Sequence, residues 1–222
     1  MQIYYLHHAG GLPCVPRNLR AALRTGDSTV TPLRFAGTGS TIEDFAHHAI
    51  SDLVARTTVR ATGPRVLYGH SMGGTVAYEI CRQLGPAIDQ LIDVVVLAAT
   101  APWWLPGVTR PRIAAPGPGI KGRSGQRLVT HLAAVDRYLP CDHDVPDVRV
   151  RVLYATRDPL VVPHAALKWE SLGWEDLRFH AMESSSHLFH TEIVDDPEER
   201  RWESFIGELR SETSPESRRW LQ

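Results

Sequence analysis

Apolar residues along this chain follow two alternating rhythms. The first is a set of short, nearly continuous apolar runs at Ile3–Leu6, Thr29–Phe35, Arg65–Tyr68, Val94–Ala98, Val148–Tyr154 and Leu177–Ala181. In three of them, "RVLYG", "DVVVLAA" and "VRVRVLYA", β-branched residues dominate and turn residues or charges mark the ends. These are strand signatures. Runs without polar alternation belong to strands covered on both faces, which points to a parallel sheet.

The second rhythm has helical spacing. In "TIEDFAHHAISDLVA", Thr41 is placed as an N-cap, Glu43 and Asp44 lie in the first turn, and Ile42, Phe45, Ala49 and Leu53 share one face. Ala77, Ile80, Cys81 and Leu84 form a second stripe, stopped by Gly85-Pro86. A last helix is predicted near Glu198 to Leu209, entered through "DDPEE", with a polar, frayed tail after Ser211. Strands alternating with helices predict the α/β class, a mostly parallel sheet with helices on both faces. Residues 1–222 form one domain with no internal repeat. One segment breaks the alternation. Residues 101–147 are dense in Pro and Gly and then carry a helix near Gln126–Tyr138. So long a connection predicts a functional insertion such as a lid.

Composition narrows the function. At 222 residues and 43% hydrophobic, the chain can bury one real core. A formal net charge of -1 gives no global field for nucleic acid or an anionic membrane. No apolar stretch approaches the ~20 residues of a membrane span, and the start, "MQIYYLHHAGG", lacks the pattern of a signal peptide. Cys14, Cys81 and Cys141 are far apart and form no CxxC pair, so neither a disulfide framework nor a structural metal site is expected. A cytoplasmic location fits that cysteine usage.

The candidate chemistry begins at Gly69-His70-Ser71-Met72-Gly73, which lies between a predicted strand and a predicted helix. A serine hydroxyl is a weak nucleophile and must be presented to a base. A sharp strand-to-helix turn does this, and glycines two positions either side remove the Cβ atoms that would clash. The bland alternative is a tight glycine turn with a solvent-facing serine. The flanking strand and helix favour the nucleophile.

In proteins with this turn, an acid and then a histidine follow the serine along the chain. Asp158 leaves the strand "RVLYA" and precedes Pro159; taken alone it is better explained as an Asp-Pro turn. His187 lies just beyond the strand "LRFHAM", whereas His180 is inside that strand and His190 is three residues further on. Order and position select Ser71, Asp158 and His187 as nucleophile, orienting acid and general base. An oxyanion hole needs two N–H donors, and Met72 and Ala9, the latter in "HHAGG" after the first strand, are the candidates.

With these pieces placed, the sequence resembles the type II thioesterases of polyketide and nonribosomal peptide biosynthesis, members of the α/β-hydrolase superfamily. "YLHHAGG" resembles their oxyanion loop, "GHSMGGTVAYEICRQL" their nucleophile block, "ATRDPLVVPHAALKWESL" their acid segment with its trailing tryptophan, here Trp169, and "SSSHLFH" their histidine block. The resemblance implies an α/β-hydrolase fold and a serine thioesterase. It would hydrolyse acyl or aminoacyl thioesters from the phosphopantetheine arm of an acyl or peptidyl carrier protein, in editing or release. No cofactor of the enzyme's own is implied, and a monomer is expected. A small-molecule carboxylesterase or lactonase, an acyltransferase, and an inactive binding protein on the same fold remain alternatives.

Three departures concern substrate and carrier more than the triad. Ala36 stands in place of a proline, His7 replaces another, and the loop before His187 is serine-rich without the usual glycine. Trp103, Trp104 and Leu105 either line the acyl pocket or anchor the lid. Arg110, Arg112, Lys121, Arg123 and Arg127 make the lid basic, either for docking an acidic carrier or merely as solvated arginines.

Overall fold

In the computed structural model, strands β1 (Gln2–Leu6), β2 (Thr29–Pro32), β3 (Arg65–His70), β4 (Val94–Ala98), β5 (Arg149–Ala155) and β6 (Leu177–Met182) form one sheet. Their order is β2-β1-β3-β4-β5-β6, and every pairing is parallel. The structure describes residues 1–23, 28–35, 39–57, 63–109, 122–141, 146–184, 186–189 and 196–211. All six predicted strands are present. β2 ends three residues before its expected limit, at Pro32; the Leu33 N–H still donates to the Tyr5 carbonyl at 2.8 Å, so the proline nitrogen faces the open side of this edge strand, where no donor is needed.

Strand alternation divides the core in two. Tyr4, Leu6, Leu67, Val95, Leu97 and Val152 point to one side, where α2 (Ile42–Thr57) and α3 (Met72–Leu84) cover them. Ile3, Tyr5, Val66, Tyr68, Val94 and Val96 point to the other, against α1 (Arg17–Ala22) and α6 (Asp196–Ser211). The predicted two-sided burial is therefore the arrangement adopted, and the structure is of the α/β-hydrolase type.

The chain leaves β1 toward β2 on one side and then returns to pair β3 on the other. A crevice at such a reversal, beyond the carboxyl ends of the strands, is where open parallel sheets place ligands. Here it brings the loop after β1 beside the turn after β3, with Leu6 paired to Gly69.

Above that edge lies α4 (Gly122–Arg137), which begins one turn earlier than the sequence pattern predicts. Residues 110–121, with Arg110, Arg112 and Lys121, lie outside the described residues. Just beyond α4, the Tyr138 hydroxyl donates to Glu79 Oε2 at 2.7 Å. Glu79 is fully buried in α3 and also accepts from Arg82 Nε at 2.8 Å and Gln83 Nε2 at 2.9 Å. Burial of the phenol beside this carboxylate pushes the Tyr138 pKa well up. α5 (Pro163–Ala166) and the short 3-10 helix Leu167–Leu172 follow β5. Among the described residues no helix is long and apolar enough to cross a membrane.

Candidate active site

The turn between β3 and α3 forces Ser71 to φ 55° and ψ -119°, a left-handed conformation that an L-residue adopts at a cost of roughly 1–3 kcal/mol. Neighbouring contacts hold it there. The Ser71 N–H donates to the Ala98 carbonyl at 2.8 Å, tying the turn to β4. The two motif glycines are required by close approach. A Cβ on Gly69 would collide with the Gly73 backbone, and one on Gly73 with the Leu6 and His7 carbonyls. Gly73 thus lets the loop after β1 press against the start of α3.

Ser71 Oγ lies 2.8 Å from His187 Nε2. His187 Nδ1 lies 2.8 Å from Asp158 Oδ2. The carboxylate can only accept, so Nδ1 carries the proton and Nε2 is left to accept from the serine hydroxyl. The other Asp158 oxygen accepts from the Leu160 and Val161 N–H groups at 2.7 and 3.0 Å. Asp158 is therefore both the turn residue and the partner of His187, and its side chain is fully buried. The structure brings the three predicted residues together from the ends of β3, β5 and β6.

The loop carrying His187 is held from below. His70 is buried and its Nε2 donates to the His187 carbonyl at 2.9 Å. Ser184 Oγ accepts from the Ser186 N–H and Ser186 Oγ from the Leu188 N–H, both at 3.1 Å. Ser184 and Ser186 thus shape this turn with side-chain-to-backbone bonds.

Met72 opens α3, and Ala9 lies in the loop after β1; neither N–H donates a hydrogen bond among the described residues. Free amides at a helix start beside a serine can stabilise a developing oxyanion. Sequence reasoning missed how this loop is fixed. The Gly10 N–H donates to His131 Nδ1 of α4 at 3.0 Å, so His131 is neutral when that bond is made. Burial, reinforced by Arg127 and His8, pushes the His131 pKa down to about 4. His7 is buried too, stacks on Phe35 at 4.3 Å between ring centroids and donates from Nδ1 to the His8 carbonyl at 2.8 Å. Burial, opposed by that carbonyl, leaves its pKa at about 4. His8 is lowered in the same direction, chiefly by burial. Only helical periodicity marked position 131 in the sequence, and it cannot distinguish a packed histidine from a bonded one.

Of the predicted pocket residues, Trp104 stacks on Tyr78 at 4.8 Å and meets Tyr138 and Trp169 edge-on at 5.2 and 5.6 Å. Trp169 is fully buried and donates its indole N–H to the Thr100 carbonyl at 3.1 Å. Trp103 and Leu105 are half-buried against the same core. This cluster anchors the chain that leaves β4, which favours the anchoring alternative for Trp104. Among the described residues, no cluster of three or more His, Cys, Asp or Glu side chains is arranged to hold a metal ion.

Residues 1–104, slightly under half of the chain, match the family model described as thioesterase domain. That match covers Ala9, Ser71 and Met72 and carries a hydrolase class acting on thioesters. No curated protein matches the sequence. Among solved structures the chain is similar to RedJ, a thioesterase from the prodiginine biosynthetic pathway in Streptomyces coelicolor. The identity is 20% and the TM-score 0.71, over 94% of this chain and 85% of that one. It is similar also to BorB, a type II thioesterase from the borrelidin biosynthetic cluster (18%, TM-score 0.70, 94% and 92% covered). A lipase-esterase related protein from Clostridium acetobutylicum is a further neighbour (12%, TM-score 0.67, 93% of each chain). At these identities the structural likeness establishes the fold.

Proposed function

We propose that this chain is a serine thioesterase that hydrolyses acyl or aminoacyl groups from the phosphopantetheine arm of a carrier protein, in polyketide or nonribosomal peptide biosynthesis. The observation that carries the reading is the unbroken hydrogen-bond chain Ser71–His187–Asp158 in a chain whose first 104 residues match a thioesterase domain. His187 Nε2 takes the serine proton as Oγ attacks the thioester carbonyl. The Ala9 and Met72 N–H groups stabilise the oxyanion. Collapse expels the thiol, protonated by His187, and leaves an acyl-serine. Water, deprotonated by His187, then attacks the acyl-serine and releases the acid with Ser71 restored. Asp158 holds the imidazole in the required tautomer and stabilises the imidazolium.

The same residues would cleave an oxyester, and the likeness to an esterase-related neighbour keeps that second reading in the test. Intact-protein mass spectrometry would follow an acyl-loaded carrier mixed with wild type or Ser71→Ala, alongside the matching acyl oxyester. Unloading by wild type, with kcat lowered by roughly 10^4 to 10^6 in Ser71→Ala, is expected, because triad members act as a unit. A carrier left loaded while the oxyester is cleaved would replace this reading with the esterase.

A further inference from the structure

Beside the oxyanion loop, α4 forms one wall of a cavity of about 310 Å³, lined by Phe45, Arg123, Gln126, Arg127, Thr130 and His131. Arg123, Arg127 and His131 recur every four residues and so share one face of the helix. The cavity has two ends of different chemistry. At His131 it touches the loop of the candidate oxyanion hole, since that imidazole accepts from the Gly10 N–H at 3.0 Å. At the other end stand two guanidinium groups. Neither is paired with a carboxylate among the described residues. Among the described residues the Arg127 Nε is buried with no hydrogen-bond partner, and the one contact of its Nη2 is Ser124 Oγ, at a long 3.5 Å. The Asp44 carboxylate, which does not line this cavity, accepts through Oδ2 from the Ser40 and Thr41 N–H groups at 3.1 and 3.3 Å.

Arg123 is exposed and Arg127 half-buried, but a buried Nε without an acceptor is costly until one completes it, and the planar fork of arginine suits an oxyanion or phosphate. Spacing adds a constraint. At ~1.5 Å rise per residue, Arg127 lies roughly 6 Å and Arg123 roughly 12 Å along the helix from His131. A ligand that reaches both ends is therefore extended and carries its negative charge remote from the reacting group.

We propose that the Arg123–Arg127 end of this cavity is an anion subsite that binds the phosphate ester at the far end of the thioester arm. Gln126 and Thr130 supply neutral hydrogen-bonding groups along the arm between the phosphate and the reaction centre. The inference rests on the thioesterase reading above and adds to it the handle by which the substrate is recognised. The phosphate is the same on a carrier-tethered arm and on a free coenzyme A thioester, so both belong in the test.

Calorimetry on the Ser71→Ala protein measures binding without turnover. Phosphopantetheine is expected to bind at least about 10-fold more tightly than pantetheine, which lacks the phosphate. Arg127→Gln and Arg123→Gln, each made in that background, should bring the two affinities together, because an Arg–phosphate contact contributes charge-assisted bonds. In turnover, the wild-type kcat/KM ratio of butyryl-phosphopantetheine to butyryl-pantetheine should exceed one and fall toward one in Arg127→Gln. Comparing butyryl-coenzyme A with a butyryl-loaded carrier shows which source the subsite favours. Equal affinities in the Ser71→Ala protein, or a preference unchanged by both arginine substitutions, would overturn the subsite. Phosphate-dependent binding without any thioester hydrolysis would uphold the subsite and reject the thioesterase reading.

Discussion

A single imidazole joins α4 to the loop that carries Ala9. His131 can accept from the Gly10 N–H only while neutral, and its burial keeps it neutral well below physiological pH. Replacing it with phenylalanine keeps a flat ring against Phe45 but leaves the Gly10 amide without an acceptor. The loss of one buried acceptor costs about 1–3 kcal/mol, and a displaced loop would blunt oxyanion stabilisation. His131→Phe is expected to lower kcat by about 10-fold with a smaller change in KM, as for an interaction made mainly in the transition state. His131→Asn, which restores an acceptor, should recover part of the loss. Steady-state kinetics on the two variants checks this; a fall confined to KM would make His131 a substrate contact only. Ser71 presents the opposite case at this scale. Its left-handed backbone was legible from the glycines at 69 and 73, since only a sharp turn needs both Cβ atoms absent.

The elements differ in how plainly the sequence marked them. Strands with continuous β-branched runs, β4 and β5 above all, appear where the pattern placed them. α1 was not anticipated. Its six residues carry no acidic residue in the first turn and no side-chain N-cap, so packing of Leu19 and Leu23 under α6 holds it rather than local propensity. α4 has a legible period, but its attachment is invisible in sequence, because Glu79 and Tyr138 are 59 residues apart. Removing that hydroxyl with Tyr138→Phe leaves Glu79 held by Arg82 and Gln83. A stability loss of about 1–2 kcal/mol is expected, with faster amide hydrogen exchange in α4 than in α3. Equal acceleration in both helices would show that the bond serves the whole core and not the attachment of α4.

At the scale of the whole molecule, histidines held neutral by burial weaken the fold in acid: His8 and His180 are lowered, and His7 and His131 most plainly so. His7 and His131 have folded-state pKa values of about 4, below the ~6.5 of a free histidine, so the folded protein binds fewer protons than the unfolded chain between those limits. Their neutral burial is fully tolerated above pH ~6.5 and penalised progressively as pH falls to ~4, by up to about 1.4 kcal/mol per pH unit for each group. Urea midpoints measured from pH 7 to pH 4 should therefore decline in that window. His131→Gln should flatten the decline by one proton; an unchanged slope would show that His131 is not the titrating group.

The sequence by itself determined the alternation of strands and helices, the strained turn around Ser71 and the chain order of serine, acid and histidine. Each is written in local spacing, and local spacing follows from backbone sterics and burial periodicity. Tertiary structure alone decided which histidines act on which loops. It set His70 beneath the carbonyl of His187, His131 on the Gly10 amide, and Trp104 in an aromatic cluster with Tyr78, Tyr138 and Trp169. Those contacts join residues far apart along the chain, and their partners are chosen by how the helices pack over the sheet, which the pattern of any one segment does not encode.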